Sequence, residues 1–314
     1  MEATKEMRAV YAETLVRLGA TNPNIVVVEA DLMKATGTGP FAKAYPDRAI
    51  NVGVAEANMV GVAAGMSAEG RIPFAATFAC FASRRVFDQF YISANYAQLN
   101  VKLVGTDPGV TAAFNGGTHM PFEDLALMRA IPKLAIIEPS DPVSLAAMVE
   151  LAAARYGSVY LRLQRKAAPA LYPAGTTFEI GKAKLLRGEG IEKPYAVIVA
   201  LGALMVGEAL KAADLLAAEG KPVAVIDALS LKPLDEKLIL EWAARTGRVL
   251  TCENHQRRGA LGSAVAEAIA ESGTVCRFAR IGVDDEFGEV GTQDWLAERF
   301  GLTAPHIAGA VRNL

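Results

Sequence analysis

Glu56 stands at the junction between a β-branched run and an apolar helical pattern. The run 50–54 (Ile-Asn-Val-Gly-Val) predicts a strand, and the spacing over residues 56–67 predicts a helix. Ligands of open α/β proteins bind at the carboxyl ends of parallel strands, where this acid would lie. A carboxylate in apolar company is costly without a partner, so a charge-assisted hydrogen bond to a ligand is one interpretation. A first-turn acid that stabilises the helix dipole is the alternative.

Two further segments carry side chains suited to a flat, polar ligand. Phe78 and Phe81 stand three positions apart after a predicted strand, in a loop-like stretch, and could present ring faces to a heterocycle. Core packing is the alternative for either phenylalanine alone. The loop 115–119 (Asn-Gly-Gly-Thr-His) places His119 just before a predicted helix, which favours a site residue over a structural histidine.

The elements that must position these residues alternate between strand and helix, which is typical of βαβ units. In the first half, strands are predicted at 25–28, 50–54, 72–78, 101–104, 134–137 and 159–161, and helices at 4–18, 56–67, 85–98, 122–130 and 142–155. The segment 167–177, with two prolines and a glycine, predicts a linker. Beyond it, strands at 196–199, 223–226 and 248–250 alternate with helices at 206–218 and 261–271. We therefore predict an α/β fold of two doubly wound domains, residues 1–175 and 176–314.

The composition excludes several classes of protein. Of 314 residues, 52% are hydrophobic and 21% charged, a globular balance rather than that of a disordered chain. A net charge of -2 gives no field that would recruit nucleic acid or an anionic membrane. No run of about 18 uncharged apolar residues could span a bilayer. The acidic first residues differ from a secretion signal, and the three cysteines are widely spaced, so we expect a reducing, cytoplasmic location.

Phosphate-binding motifs are missing from the sequence. Neither GxGxxG nor GxxxxGK[ST] follows a predicted strand, and no GxSxG elbow occurs. The three histidines have no metal-ligand spacing, so we expect no metal site in this chain. The pattern is that of a cofactor enzyme whose phosphate-binding part lies elsewhere.

Five motifs together resemble the C-terminal part of transketolases, and the likeness covers nearly the whole chain. They are the segments 29–32 (Glu-Ala-Asp-Leu), 53–56 (Gly-Val-Ala-Glu), 77–81 (Thr-Phe-Ala-Cys-Phe), 115–121 (Asn-Gly-Gly-Thr-His-Met-Pro) and 163–165 (Leu-Gln-Arg). The resemblance implies a pyrimidine-binding domain of the kind that holds thiamine diphosphate, followed by a transketolase C-terminal domain.

The resemblance also implies which residues meet the cofactor. Glu56 would hydrogen-bond to the pyrimidine of thiamine diphosphate and favour the tautomer whose nitrogen removes the C2 proton. Phe78 and Phe81 would stack on the pyrimidine, and Asp31 would lie near the thiazolium. Glu56 is therefore the first of two expected catalytic residues.

His119 is the second expected catalytic residue, and it would also face the substrate. The resemblance implies that Arg165 and Asn115 share this substrate-binding role. The sequence departs from the usual family pattern at several positions, which leaves the donor and acceptor sugars open. These are Ala35 for a serine, Arg84 for an aromatic residue, Thr106 for a histidine and Asn115 for an aspartate.

We therefore expect a subunit of a transketolase that transfers a two-carbon ketol unit from a ketose, bearing phosphate or another anion, to an aldose. The β-chain of a 2-oxo acid dehydrogenase E1 component and a non-catalytic binding protein on the same fold are the alternatives. The chain lacks the Gly-Asp-Gly loop that leads to the magnesium and diphosphate site of thiamine enzymes. A partner chain with the N-terminal, diphosphate-binding domain would then hold Mg²⁺. The two kinds of chain would form a two-fold heterotetramer.

Overall fold

Two predominantly parallel sheets covered by helices organise residues 3–314, the part of the chain that this computed structural model describes. Side chains are described from residue 5 onward. Residues 1 and 2, with which the predicted first domain begins, lie outside the described residues. The architecture confirms the predicted α/β fold class.

The elements are numbered along the chain. The strands are β1 (Ala3–Glu6), β2 (Ile25–Glu29), β3 (Ala49–Asn51), β4 (Ile72–Phe78), β5 (Lys102–Thr106), β6 (Ala135–Ile137), β7 (Val159–Leu163), β8 (Ala167–Pro169), β9 (Lys184–Arg187), β10 (Val197–Leu201), β11 (Ala224–Asp227), β12 (Ser230–Lys232), β13 (Arg248–Gln256) and β14 (Arg277–Val283). The α-helices are α1 (Met7–Thr21), α2 (Met33–Thr36), α3 (Gly39–Ala44), α4 (Glu56–Ala68), α5 (Ala79–Arg84), α6 (Phe87–Gln89), α7 (Asp124–Arg129), α8 (Pro142–Ala154), α9 (Gly202–Ala218), α10 (Glu236–Thr246), α11 (Leu261–Ser272), α12 (Gln293–Arg299) and α13 (Ala304–Arg312). Three 3₁₀ segments (Pro46–Arg48, Gly109–Asn115 and Gly117–His119) and a π-helix (Phe90–Tyr96) complete the set. Within residues 3–314, none of the helices has the length and hydrophobicity needed to cross a membrane.

The first sheet contains seven strands in the order β12-β6-β7-β5-β4-β2-β3. Neighbouring strands are parallel except β12, which pairs with β6 in the antiparallel direction. Successive residues of a strand point to opposite faces: Val27 belongs to the core under α1 and α8, whereas Val28 belongs to the core under α4. Burial on both faces explains why these strands are continuous apolar runs.

The second sheet has the order β14-β13-β10-β11-β9, with only β9 antiparallel to its neighbour. Helices α9 and α13 contribute Val206 and Ile307 to the core on one face, and α10 and α11 contribute Trp242 and Val265 to the other. The second half also supplies β12 to the first sheet, where Ser230 lies opposite Ile137. The two halves therefore share a sheet.

Two buried aspartates attach the segment between the halves. Asp141 Oδ2 accepts from the backbone N–H groups of Leu171 and Tyr172 at 2.9 and 3.1 Å. Asp227 accepts from the Tyr172 hydroxyl at 2.7 Å and from the Ser140 hydroxyl. The connection is anchored on both sides, and the division at residue 175 stays a prediction.

The predicted start of the first helix at residue 4 is wrong. Residues Ala3–Glu6 form strand β1, and α1 begins at Met7. Strand β1 pairs in the antiparallel direction with β8, which lies inside the predicted linker 167–177. The spacing of apolar residues led to a predicted helix that starts too early. The strand that pairs with β1 lies more than 160 residues away along the chain, so the local sequence does not indicate the pairing.

Two other local predictions are corrected around the phenylalanines. Phe81 lies on the short helix α5 rather than in a loop, in an alanine-rich segment that favours a helix. The predicted helix 85–98 is divided into α6 and the π-helix Phe90–Tyr96. Asn95 Nδ2 donates to Phe90 O at 2.8 Å across the wider turn.

Candidate active site

The carboxyl ends of five parallel strands bring the predicted site residues to one edge of the first sheet. The strands β7, β5, β4, β2 and β3 are consecutive neighbours. Phe78 at the end of β4 lies opposite Thr106, and Thr106 lies opposite Leu163. On the other side, Glu29 lies opposite Asn51. The residues that follow these strands therefore form a row along the ligand-binding edge.

Glu56 opens helix α4 and is buried, with 5% of its surface exposed. Its Oε1 accepts a hydrogen bond of 2.8 Å from Arg85 Nη1. The Arg85 side chain is 51% exposed, so the pair joins a buried carboxylate to a cation at the surface. Glu56 thus has a specific partner in addition to its place in the first turn of α4.

Three rings meet beside this ion pair. The ring centroids of Phe78 and Phe81 lie 6.0 Å apart, and the His119 centroid is 5.3 Å from Phe81 and 6.1 Å from Phe78. The Arg85 guanidinium carbon lies 3.9 Å from the centroid of Phe81. The structure therefore brings Glu56, Phe78, Phe81 and His119 together, and Arg85 links the carboxylate to the rings.

This arrangement fits the pyrimidine that the family resemblance implies. A flat heterocycle with a polar ring edge needs an aromatic face and a hydrogen-bonding carboxylate beside it. The planar guanidinium of Arg85 makes both of these contacts, since it lies over Phe81 and donates to Glu56. A ring of similar flatness can use the same pair of groups once Arg85 moves aside.

The loop that carries His119 is held by Arg84. Arg84 Nη2 donates to Thr118 O at 2.9 Å, and its Nε lies 3.2 Å from Glu123 Oε1. The Thr118 hydroxyl and His119 Nδ1 are 2.9 Å apart. Arg84 therefore holds the backbone of the histidine loop in place.

Asp31 is connected to this cluster through Asn51. The Asp31 N–H donates to Asn51 Oδ1 at 3.0 Å, and Asn51 Nδ2 donates to Asp31 Oδ1 at 3.3 Å. Asn51 Oδ1 also accepts from the Gly53 N–H at 3.0 Å, in the turn that leads to Glu56. Asn51 therefore fixes the exposed Asp31 relative to the turn that leads to Glu56.

Arg165 and Asn115, the other two predicted substrate residues, do not belong to the ring cluster that contains His119. Arg165 follows β7, and its Nε is 3.1 Å from Oδ1 of the buried Asp107. Asn115 is exposed four positions before His119, and within residues 5–314 its side chain makes no hydrogen bond. These contacts do not test a role in substrate binding, so the substrate contacts of both residues stay a prediction.

Comparison with known proteins identifies the family. The family model of the transketolase pyrimidine-binding domain matches residues 3–170, and that of the transketolase C-terminal domain matches residues 181–307. The chain belongs to the transketolase family. It is 46% identical to the 6-deoxy-6-sulfo-D-fructose transketolase subunit SqwH of Clostridium sp. strain MSTE9, over 98% of this chain and 94% of the relative.

Two further relatives are similar in extent. The chain is 40% identical to the putative transketolase C-terminal section of Methanocaldococcus jannaschii, over 97% of this chain and 94% of the relative. A solved split-gene transketolase described as an inactive β4 tetramer is 43% identical, with a TM-score of 0.88 over 98% of this chain and 97% of that chain. The resemblance to a transketolase C-terminal section is therefore confirmed.

The second half of this transketolase-family chain forms one wall of the site. Asn254 Oδ1 accepts from the Val110 N–H at 3.0 Å, and Asn254 Nδ2 donates to Pro108 O at 3.0 Å. A Cβ at Gly117 would lie 2.0 Å from Gly288 O, so the histidine loop packs directly on the loop after β14. A cavity of about 420 Å³ opens between these loops, beside Arg84.

Glu253 and His255, two buried polar residues of strand β13, contact backbone groups of the protein. Glu253 is buried and accepts from the N–H groups of Leu261 and Gly262 at 2.8 Å, which caps α11. His255 Nε2 accepts from the Ala126 N–H at 3.4 Å. Burial lowers the pKa of His255 to about 4, so the ring is neutral at pH 7.

Sequence reasoning missed Arg85, Asn51 and Asp107. A signal for Arg85 was present, since two arginines follow Phe81 where apolar residues would continue a core helix. Asp107 directly follows the buried strand β5, and Asn51 is the last residue of β3, so both lie where ligand-edge residues are expected. In the described residues 3–314, no three His, Cys, Asp or Glu side chains could hold a metal ion together.

Proposed function

We propose that this chain is the subunit of a split, thiamine-diphosphate-dependent transketolase that supplies the pyrimidine-binding and C-terminal domains. The observation that carries the proposal is the convergence of Glu56, Phe81 and His119 at the carboxyl edge of the first sheet. Thiamine diphosphate, when bound, supplies the electron sink for cleavage beside the carbonyl of the donor ketose. The residues of this chain bind, orient and move protons.

Each predicted residue has a role in this proposal. Glu56 hydrogen-bonds to the pyrimidine, and its burial strengthens the bond because water does not compete for the carboxylate. Phe78 and Phe81 face the pyrimidine ring, and Asp31 lies toward the thiazolium. His119 hydrogen-bonds to a hydroxyl or carbonyl oxygen of the substrate near the reacting carbon.

The donor is proposed to be a ketose with a terminal anion. Arg165 lies at the ligand-binding edge, and the positive charges of Arg8 and Lys166 act on the same buried Asp107. An arginine fork suits sulfonate as well as phosphate. The SqwH relative is named for 6-deoxy-6-sulfo-D-fructose, so this ketose and fructose 6-phosphate are the two donors to compare. Asn115, on the histidine loop, would contact a hydroxyl of the sugar.

A second chain is proposed to supply the diphosphate-binding domain together with Mg²⁺. A buried diphosphate needs backbone donors, a helix N-terminus or a metal, and the sequence offers no recognisable phosphate loop. The solved relative described as an inactive β4 tetramer supports both self-association and the need for another chain. Two copies of each chain about a two-fold axis are the simplest assembly.

The comparisons favour this function over both alternatives. Relatives of similar length that are 46% and 40% identical are named as a transketolase subunit and a transketolase C-terminal section, which favours ketol transfer over the chemistry of a 2-oxo acid dehydrogenase β-chain. The name of the SqwH relative, a transketolase subunit, favours an enzyme over a non-catalytic binding protein, and the cluster of Glu56 and Phe81 supplies ligand-binding groups for it.

Reconstitution tests the proposal. Thiamine diphosphate and Mg²⁺ are titrated calorimetrically into the isolated chain, and then into its mixture with a chain that carries a Gly-Asp-Gly loop. We expect binding and ketol transfer only in the mixture, because the diphosphate site is then complete. Turnover by the isolated chain would contradict the need for a partner. Cofactor binding by the mixture without transfer from either donor would contradict the transketolase activity.

A further inference from the structure

Asp107 is a buried carboxylate beside the Arg165 guanidinium. Only 2% of Asp107 is exposed, and its Oδ1 lies 3.1 Å from Arg165 Nε. Among the described residues, neither carboxylate oxygen has a hydrogen-bond donor in suitable geometry. A buried carboxylate with so few donors is costly, so its attraction to Arg165 must offset part of that cost.

Strand pairing places the two residues side by side. Thr106, at the end of β5, lies opposite Leu163 at the end of β7, and the Asp107 N–H donates to Leu163 O at 3.1 Å. The backbone of Asp107 has a φ of 57°, in the left-handed region that residues with a Cβ rarely adopt. The fold therefore holds Asp107 in an uncommon conformation directly beside Arg165.

Exposure separates the roles of the two side chains. The Arg165 side chain is 23% exposed, whereas Asp107 is covered by protein and cannot reach a substrate. The contact with Asp107 is made at Nε, and the end-on edge of the Arg165 guanidinium, between its two outer nitrogens, is a different edge of the group. Within residues 5–314, no hydrogen bond occupies those nitrogens. An arginine held in this way presents a planar fork, which matches an oxyanion in a bidentate contact.

The surrounding charges keep the region positive. Arg165, Arg8 and Lys166 all lie close enough to stabilise the Asp107 carboxylate, and the Arg8 N–H donates to Arg165 O at 3.2 Å. Arg8 is also paired with Glu6 at 2.7 Å, so three cations and two carboxylates leave a single net positive charge for an anionic ligand. Burial still outweighs these cations and raises the pKa of Asp107 to about 6.

We propose that Asp107 is a positioning residue for anion recognition: its ion pair holds the Arg165 guanidinium so that the outer nitrogens bind the terminal sulfonate or phosphate of the donor ketose. This inference rests on the proposed function, because it assumes that Arg165 faces the donor.

Donor selectivity in the reconstituted two-chain enzyme tests this role. The Asp107→Asn variant keeps the size of the side chain but loses its charge. We expect its KM for 6-deoxy-6-sulfo-D-fructose to rise about tenfold, comparable to the loss of one hydrogen bond to a charged group. The KM for L-erythrulose, a neutral donor, and both kcat values should change little. A merely structural role would alter kcat and KM for both donors.

The pH dependence gives a second readout. A sulfonate keeps its charge between pH 5 and 8, so changes in KM report on the protein. In the wild-type enzyme Asp107 is ionised above its pKa of about 6, and its protonation below that pH releases Arg165. The KM for the sulfonated donor should therefore rise as the pH falls through this range, and the Asp107→Asn variant should lack this step.

The Arg165→Ala variant separates the inference from the function on which it rests. If Arg165→Ala raises KM selectively for the sulfonated donor but Asp107→Asn does not, the positioning role is wrong. If Arg165→Ala raises the KM for the sulfonated and the neutral donor equally, Arg165 does not bind the anion. That part of the proposed function is then wrong. In the Arg165→Ala background, Asp107→Asn should have no further effect on selectivity, and a full additional effect would also overturn the inference.

Discussion

The chemistry of the candidate site depends on two charged side chains, Glu56 and Arg85. Glu56 is buried at the start of α4, and Arg85 reaches it from the surface across the face of Phe81. The Glu56 carboxylate can hydrogen-bond to a cofactor if Arg85 moves away or if the two bind different oxygen atoms of the carboxylate. The two residues therefore have opposite expected effects on cofactor binding and chemistry.

Glu56→Gln should keep the fold and slow proton transfer. The amide cannot provide the charge-assisted hydrogen bond, so hydrogen–deuterium exchange at C2 of thiamine diphosphate should slow by ~10²–10⁴ in the reconstituted enzyme. Glu69→Gln is the matched control, since Glu69 lies exposed just after the same helix. If the Glu56→Gln variant exchanges at the same rate as the wild type, the proposed catalytic role of Glu56 is wrong.

Arg85→Ala should tighten cofactor binding. The guanidinium lies over Phe81 and donates to Glu56, so its removal leaves the ring face and the carboxylate accessible to the pyrimidine. We expect the Kd for thiamine diphosphate, measured calorimetrically with the partner chain, to fall by about two- to fivefold, the scale of a weak ion pair. Arg17→Ala breaks the exposed pair with Glu150 and should leave the Kd unchanged. Weaker binding in Arg85→Ala would mean that Arg85 supports the site rather than covering it.

At the scale of elements, loops from both halves meet around His119. Asn254 on β13 holds the backbone after β5 through Val110 and Pro108. The histidine loop packs against the loop after β14 so closely that Gly117 and Gly288 must both lack side chains. The position of His119 is therefore set by the second half as well as by its own strand.

Gly117→Ala should displace the histidine loop. The added Cβ would lie 2.0 Å from Gly288 O, so one of the two loops must shift. A shift of about 1 Å in a substrate-contacting residue can lower kcat/KM by about 10², and we expect a loss of that order with little change in cofactor affinity. Gly309→Ala is the control: a Cβ added there, on α13, would have no atom within 4 Å, and the change should leave kcat/KM intact. Equal activity of both variants would show that the contact between the loops does not position His119.

On the scale of the whole molecule, buried polar groups join the two halves. Arg162 is fully buried, donates to Asp124 and Glu138 of the first half, and donates to Asn254 O of the second at 2.9 Å. Asp227, at the end of β11, accepts from the Leu229 N–H at 3.2 Å before the chain enters β12. Packing between the halves is thus polar as well as apolar, and it should respond to pH.

Asp227→Asn should remove a pH-dependent part of the stability. Burial raises the pKa of Asp227 to about 7, above the value of about 3.9 for an unfolded aspartate. The folded protein favours the protonated form of Asp227. The contribution of this group to the free energy of unfolding is therefore complete below the pKa of the unfolded state and is lost as the pH rises to about 7. The unfolding free energy of the wild type should fall relative to that of Asp227→Asn over this range, by about 1.4 kcal/mol per pKa unit at most.

Urea denaturation at a series of pH values measures this difference. Asp214→Asn is the control, because Asp214 is exposed in its pair with Arg187 and should show no such trend. If the difference in unfolding free energy between the wild type and Asp227→Asn is constant from pH 4 to 7, the raised pKa of Asp227 is wrong.

The sequence by itself determined the α/β class, the transketolase resemblance and most strands. Runs such as 72–78 are buried on both faces, and a continuous apolar pattern is enough to predict them. Through that resemblance it also predicted Glu56, Phe78, Phe81 and His119 as a set, and the structure brings them together. These features depend on local pattern and motif, which can be read along the chain.

Only the tertiary structure decided which groups meet. The pairing of β1 with β8, the transfer of β12 to the first sheet, and the contacts of Arg85 with Glu56 and of Asp107 with Arg165 all join distant segments. The order of strands in a sheet sets these contacts, and residue spacing does not encode that order. Asp107 and Arg165 are neighbours because β5 and β7 are adjacent, although β6 lies between them in the chain.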